Sequence, residues 1–314
     1  MPARPVPPGR TLAMERRTTR RYFLLRPDAD RRSQRLIYYL LAVISARHGV
    51  IVHAVVQMST HWHVIVTDPR GVLPEFLAEM HRVMAHCFKR HRDWSEELFN
   101  KSQTSVGDIE TVGGALRKLA YLMCNPIAAG MVERLEAYPG ALTRPEQIGR
   151  HTLSLTRPDN TYLGNERLWP KTATLKFEVP KVLLDAYGPE GARRAIADKT
   201  EAMAQEIRKR RAAKGLGYLG ADAVCAAPVT MQPSEPIAVG KRKPTVVLGD
   251  AEDEDEKAAY RRKVRELRAW RAAYATCLAA WRKGKRHVEW PPHTWKMRVL
   301  HGVRCAEVKP KPPD

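Results

Sequence analysis

The sequence predicts an α+β fold, in which an antiparallel sheet of ferredoxin-like or RRM-like type carries helices on one face. Three observations favour it. Over about the first 145 residues, β-branched segments and helical-period segments follow the order β-α-β-β-α-β-α. Most of these segments end at a Gly or Pro stop signal. Beyond about residue 150, Arg- and Lys-rich helical segments predict a mainly helical, basic C-terminal extension.

The N-terminal elements follow from local patterns. Residues 1–15 are rich in proline and are predicted to form a flexible arm, and the stretch RRYFLLRP that follows is predicted to be the first strand. Residues 33–49 repeat apolar side chains at helical spacing and end at Gly49, which predicts a helix. The β-branched stretches VIVHAVVQM and HWHVIVTDP predict the next two strands.

The rest of the predicted domain contains two helices and one strand. LPEFLAEMHRVMAHCFKRH is amphipathic with a basic end, and QTSVGDIET predicts a short fourth strand. GALRKLAYLMCNPIAAGMV predicts a helix interrupted near Asn125, because proline disfavours helical geometry in the residue before it. We therefore predict a domain over residues 16–148 and an extension over residues 149–314, with a linker near residues 226–256.

The charge balance favours a polyanionic partner. The chain has 54 Lys and Arg against 34 Asp and Glu, a net charge of +20. Nucleic acid is the simplest partner of such a chain, and an anionic membrane surface is the second. No apolar run reaches the roughly 18–20 residues that span a bilayer, and the N-terminal stretch lacks an apolar signal core. Five scattered cysteines and no CxxC pair predict a protein of the reducing cytoplasm.

The stretch MSTHWHVIV places two histidines on one side of a predicted strand. Alternate side chains of a strand share a face and lie about 6.5–7 Å apart, so His61 and His63 are able to converge on one ion. Trp62 then points to the opposite face, where it packs under the helices. The alternative is two polar side chains on an exposed face.

A tyrosine stands apart from the apolar stripe of its predicted helix. Arg117, Tyr121 and Asn125 follow one another at four-residue intervals and form a separate polar face. A tyrosine there, with a cation and an amide one turn away, is a candidate functional residue. The alternative is a half-buried tyrosine that makes a hydrogen bond at a helix end.

The histidine pair, followed about 60 residues later by a helix that reads Tyr-x-x-x-Asn-Pro and then AAGMV, resembles the single-tyrosine HUH transposases. The closest group is the REP-associated tyrosine transposases, and the resemblance covers roughly residues 15–145. It implies metal-dependent nicking and rejoining of single-stranded DNA through a 5′-phosphotyrosine intermediate, with hairpin DNA as the target. It also implies Tyr121 as nucleophile and His61, His63 and Asn125 as ligands of Mg²⁺ or Mn²⁺. The apolar Leu-Met-Cys between Tyr121 and Asn125 departs from this pattern and leaves the role of Asn125 open.

Basic side chains in three regions are candidate DNA contacts. They belong to the RRTTRR run, to the surroundings of Tyr121, and to a basic helix over residues 256–286. This helix interleaves Trp and Tyr with its cations, and these rings either stack on bases or pack against the first domain. The candidates are Arg16, Arg17, Arg20, Arg21, Arg117, Lys118, Arg261, Arg262 and Lys263.

Other interpretations of the same residues remain open. Asp108 and Glu110, before the tyrosine helix, are accessory acids or charges that favour a helix N-terminus. The fold would also serve a non-catalytic protein that binds DNA hairpins, acting as a monomer or a homodimer. An RNA-binding module is a third alternative, but its open face lacks the aromatic pair that stacks on RNA bases.

Overall fold

A sheet with helices on both of its faces forms the core of the protein. The computed structural model describes residues 3–101, 104–234, 246–247 and 253–307. The strands are β1 (Arg10–Arg17), β2 (Ile51–Met58), β3 (His61–Asp68), β4 (Ser105–Ile109), β5 (Thr152–Thr156), β6 (Thr172–Lys176) and β7 (Val246–Val247). The helices are α1 (Arg32–His48), α2 (Leu73–Arg92), α3 (Val112–Ala128), α4 (Lys181–Ala212), α5 (Ala221–Ala226), α6 (Glu254–Arg282) and α7 (Trp295–His301).

The main sheet has the strand order β2-β3-β1-β4-β7. Its first four strands pair antiparallel, and β7 joins β4 in parallel. The predicted α+β class is therefore confirmed. The predicted helix over residues 33–49 is α1, and it ends at Gly49 in the left-handed conformation at φ 66°. The predicted second, third and fourth strands are β2, β3 and β4.

The predicted first strand is wrong. RRYFLLRP does not form a strand, because Arg20 and Arg21 have positive φ and the Arg26 N–H closes a turn on the Phe23 carbonyl at 3.0 Å. The first strand is instead β1, which lies between β3 and β4. Its first six residues were expected to belong to the flexible arm. The signal for β1 is weak, since Ala, Met and Glu are poor strand formers.

Two helices pack on one face of the sheet and a third lies on the other. Helices α1 and α2 contact each other, and the ring centroid of Trp62 on β3 lies 5.6 Å from that of His81 on α2. The next side chain along β3, His63, points the other way, and its ring centroid is 6.1 Å from that of Tyr121 on α3. The two faces of β3 are thus occupied by different helices, so the prediction that the helices lie on one face of the sheet is corrected.

The predicted interruption near Asn125 is also wrong, since α3 continues through Pro126. Pro126 has no N–H to donate to the carbonyl of Leu122 one turn earlier. The side-chain amide of Asn125 donates to that carbonyl at 3.5 Å and to the Tyr121 carbonyl at 2.9 Å. The asparagine amide therefore takes the place of the missing proline donor. The helix ends two residues after Pro126, at Ala128, so little of it lies beyond the proline.

The C-terminal region packs onto the sheet domain at several points. Strands β5 and β6 pair with each other and contact α1, and α4 lies along α3. The rings of α6 pack within the chain: Tyr274 and Trp281 surround the buried Trp290. Residues 235–245 and 248–252 of the predicted linker lie outside the described residues. Among the helices that the structure describes, none combines the length and apolar character needed to cross a bilayer.

Asp68 links the end of β3 to the start of α2. Its carboxylate is fully buried and accepts hydrogen bonds from the backbone N–H groups of Arg70, Val72 and Leu73 at 3.2, 3.0 and 2.7 Å. We expect Asp68→Ala to lower the free energy of unfolding by about 2–3 kcal/mol, because it leaves buried donors unpaired. Urea denaturation checks this, with the exposed Asp198→Ala as control. A loss similar to that of the control would contradict it.

Candidate active site

Two strands bring three metal-binding side chains together on the face covered by α3. Glu15 on β1 pairs in register with His63 on β3, and His61 lies two residues before it. One ligand atom from each of these residues lies within 4.8 Å of the other two. The rings of His61 and His63 are 4.7 Å apart at 85° to each other. The sheet therefore forms a ligand set of two imidazoles and one carboxylate.

His63 is buried in a way that fits a bound cation. Its side chain is 2% exposed, and neither ring nitrogen has a hydrogen-bond partner within the described residues. The nearest carboxylate oxygen, Glu15 Oε2, is 3.8 Å from Nδ1, beyond hydrogen-bond distance. A buried polar group left without a partner costs about 1–3 kcal/mol, so these nitrogens fit a site that an ion completes. His61 Nδ1 lies 2.8 Å from the hydroxyl of Thr60, which orients its ring.

Both histidines are in the protonation state that binds metal. Burial lowers the pKa of His61 to about 4. The pKa of His63 is lowered well below its ordinary value by burial first, and then by the neighbouring charges of His61, Lys118 and Arg17. Both imidazoles are therefore neutral at pH 7, and neutral imidazole is the form that ligates a cation.

Tyr121 lies beside this cluster, on a side of α3 that solvent reaches. Leu119, Leu122 and Met123 of this helix are buried in the core, and this orientation leaves Tyr121 46% exposed. The Lys118 ammonium is 4.4 Å from the ring centroid, within the range of a cation–π contact. Partial burial, followed by the charge of Glu15, raises the pKa of Tyr121, and Arg17 opposes that rise. The structure thus brings the predicted nucleophile and the predicted histidine pair to one place.

Asn125 has a different environment from the histidines. Its amide nitrogen donates to the carbonyls of Tyr121 and Leu122, so only its Oδ1 remains to be offered as a ligand. The carboxylate of the cluster comes from Glu15, a residue that the proline-rich pattern of residues 1–15 places in the predicted arm. The apolar run Leu12-Ala13-Met14 directly before Glu15 is a weak indication that Glu15 belongs to a strand.

The predicted DNA contacts other than Lys263 separate into three groups. Arg17, Arg21 and Lys118 lie at the cluster: Arg17 Nε is 2.5 Å from a Glu15 oxygen, and the charges of Arg17 and Arg21 act on His61. Arg16 is on the opposite face, 5.7 Å above the ring of Phe99. The other exposed cations are Arg20, Arg117, Arg261 and Arg262.

Lys263 of α6 faces two acids rather than solvent. Its Nζ is 2.7 Å from Glu110 and 3.8 Å from Asp108, and Arg10 pairs with the same two carboxylates. Asp108 and Glu110 are therefore neither beside the histidine cluster nor simple helix N-terminal charges. They hold α6 against the edge of the sheet.

Comparisons with known proteins give little similarity. No protein-family model and no curated protein matches the chain. Among solved structures, the chain is similar to that of a REP-associated tyrosine transposase bound to a REP hairpin, with 18% sequence identity. The match covers 44% of this chain and 79% of that one, with a TM-score of 0.36. Similarity at this level supports no conclusion about function.

Proposed function

We propose that this protein is a metal-dependent transposase, a strand transferase that nicks and rejoins single-stranded DNA through Tyr121. One observation carries the proposal: Tyr121 lies next to a cluster of Glu15, His61 and His63, with 6.1 Å between its ring centroid and that of His63. A phenol beside a metal-ligand set provides a nucleophile and a site for phosphate stabilisation next to each other. The motif resemblance in the sequence points to the same chemistry.

Glu15, His61 and His63 would hold the divalent ion, and Asn125 Oδ1 is the fourth candidate ligand. We assign Mg²⁺ or Mn²⁺, because a carboxylate and an amide oxygen add hard ligands to the two imidazoles. The bound ion would supply Lewis-acid stabilisation of the phosphate oxygens.

In the proposed cleavage step, the Tyr121 oxygen attacks the scissile phosphorus and its proton passes to water. The bond from phosphorus to the 3′-oxygen breaks, and that oxygen leaves as a 3′-hydroxyl after taking up a proton. The 5′-phosphate stays on Tyr121, so the phosphoester is conserved and a 3′-hydroxyl of another strand reverses the step. Because burial and Glu15 raise the pKa of Tyr121, the phenol needs nearby positive charge, which Arg17 and Lys118 provide.

The proposed substrate is single-stranded or hairpin DNA. Cations near the cluster, Arg17 and Arg21, are suited to phosphates next to the cleaved bond, and exposed Arg20, Arg117, Arg261 and Arg262 to more distant ones. We assign the chemistry to residues 16–148 together with the rest of β1, and treat residues 149–314 as an extension. The protein would act in the bacterial-type cytoplasm, at the nucleoid, as a monomer or homodimer.

The test is covalent capture of DNA by the full-length protein. A pool of hairpin-bearing single-stranded oligonucleotides, labelled at the 3′ end, is incubated with Mn²⁺ or Mg²⁺ and run on a denaturing gel. We expect a shifted, protease-sensitive band that requires the ion, because a 5′-phosphotyrosine retains the 3′-labelled fragment. If hairpins bind but no ion yields an adduct, the protein is a non-catalytic hairpin-binding protein.

A further inference from the structure

A second basic site lies at the other side of the sheet, between α1 and β5. It is a cavity of about 550 Å³, a volume typical of ligand sites, and its lining includes Arg31, Arg35 and Arg144. One wall comes from the N-terminal turns of α1 and another from residues 152–156, which belong to the C-terminal extension. The histidine cluster and Tyr121 do not take part in it.

The arginines of this cavity are available to a ligand. Within the described residues, the side chains of Arg31 and Arg35 have no hydrogen-bond or ion-pair partner, and both residues are exposed. Arg144 has one carboxylate nearby, Glu146, at the long distance of 3.9 Å. Three guanidinium groups facing one acid leave an excess of positive charge that a polyanion would neutralise.

The walls of the cavity are held by hydrogen bonds. The Tyr38 hydroxyl donates to the Leu142 carbonyl at 3.0 Å and accepts from the Leu142 N–H at 2.9 Å. Gln34 Nε2 donates to the Gly140 carbonyl at 3.0 Å. These contacts connect α1 to the segment that carries Arg144, so the arginines project from a framework that is already in place.

The strand in the wall adds neutral donors. Five consecutive residues of β5 line the cavity, which indicates that the cavity runs along the strand edge, because a single face would present only alternate residues. Within the described residues β5 pairs only with β6, so its other edge keeps unpaired backbone N–H groups. Thr152, Ser154 and Thr156 are exposed and carry hydroxyls. Hydroxyls, backbone N–H groups and guanidinium groups are the donors that contact phosphate oxygens in nucleic-acid complexes.

We infer that this cavity is a second phosphodiester-binding site, which holds the DNA backbone away from the bond that is cleaved. Residues 141–143 pair along β2, which in turn neighbours β3, so the cavity lies roughly two strand spacings, about 10 Å, from the strand of the histidines. DNA bound at both places would pass around this side of the sheet, where residues 141–143 cover β2. This inference rests on the proposed function for the choice of DNA as the polyanion.

The test measures DNA affinity at several salt concentrations by fluorescence anisotropy, with a labelled hairpin oligonucleotide that carries a single-stranded tail. We expect the full-length triple variant Arg31→Gln, Arg35→Gln, Arg144→Gln to bind about 100-fold more weakly at 0.1 M salt. The magnitude of the slope of log affinity against log salt should decrease by about 2, because a variant with fewer phosphate contacts releases fewer counterions when it binds. The matched control replaces three exposed arginines elsewhere, Arg134→Gln, Arg167→Gln and Arg194→Gln, and should bind like the wild type.

A second variant protects the test against misfolding. The triple variant Arg31→Lys, Arg35→Lys, Arg144→Lys keeps the charge, so it should retain most of the salt dependence that the glutamine variant loses. Wild-type DNA affinity in the glutamine variant overturns the inference. If the adduct never forms while the glutamine variant binds DNA weakly, the site stands and the proposed function falls. If the adduct forms but affinity is unchanged, the reverse holds.

Discussion

Replacing Tyr121 by phenylalanine should reduce the covalent DNA adduct to background, at least about 100-fold below the wild type, because no other group at the site replaces the lost oxygen nucleophile. Binding of the same oligonucleotide should change by less than about twofold, since the ring and its contact with Lys118 remain. The measurement pairs the denaturing gel with fluorescence anisotropy on each protein.

The matched control for this change is Tyr187→Phe. Tyr187 lies on α4 and has the same 46% exposure as Tyr121, but it is not part of the cluster. Tyr187→Phe should form the adduct at the wild-type level. An adduct that persists in Tyr121→Phe and disappears in Tyr187→Phe would place the nucleophile on α4 and contradict the proposal.

Loss of His63 should abolish the stabilisation that a divalent ion confers on the folded protein. An ion present at 100 times its dissociation constant stabilises the protein that binds it by about 2.7 kcal/mol, which corresponds to a melting-temperature increase of several degrees. We expect Mn²⁺ to raise the melting temperature of the wild type by that amount and to leave His63→Ala unchanged. Differential scanning fluorimetry compares each protein with and without Mn²⁺. The measured shift is therefore independent of any change that the substitution makes in the stability of the metal-free protein.

The third ligand is tested in the same experiment. Glu15→Gln should lose most of the Mn²⁺ shift, because the carboxylate is the only charged donor of the cluster. Asn125→Ala should lose less of the shift than Glu15→Gln, because a neutral amide oxygen is a weaker ligand than a charged carboxylate. His53→Gln is the control: His53 is also buried on a strand but makes hydrogen bonds to the Glu178 carbonyl and to Thr67. The opposite ranking of Glu15→Gln and Asn125→Ala would restore the ligand set that the resemblance implies.

Much of the sheet domain could be predicted because its signals are local. The apolar spacing of α1, its end at Gly49 and the β-branched runs of β2 and β3 each identify an element within a few residues. The convergence of His61 and His63 was equally accessible, since a strand fixes the relation between residues two apart. The proline in α3 misled the prediction because its cost depends on position, and near a helix end a neighbouring side chain compensates for it.

The individual helices and strands, and with them the histidine pair and the tyrosine helix, follow from patterns within short stretches of the sequence. The carboxylate of the cluster does not. Glu15 reaches His63 only through the pairing of β1 with β3, across 48 positions of the chain (63 minus 15). Such a register is set by which strands share a buried sheet, a property of the whole core that no local window encodes. The same reason applies to the arginine cavity, whose walls come from segments more than 100 residues apart.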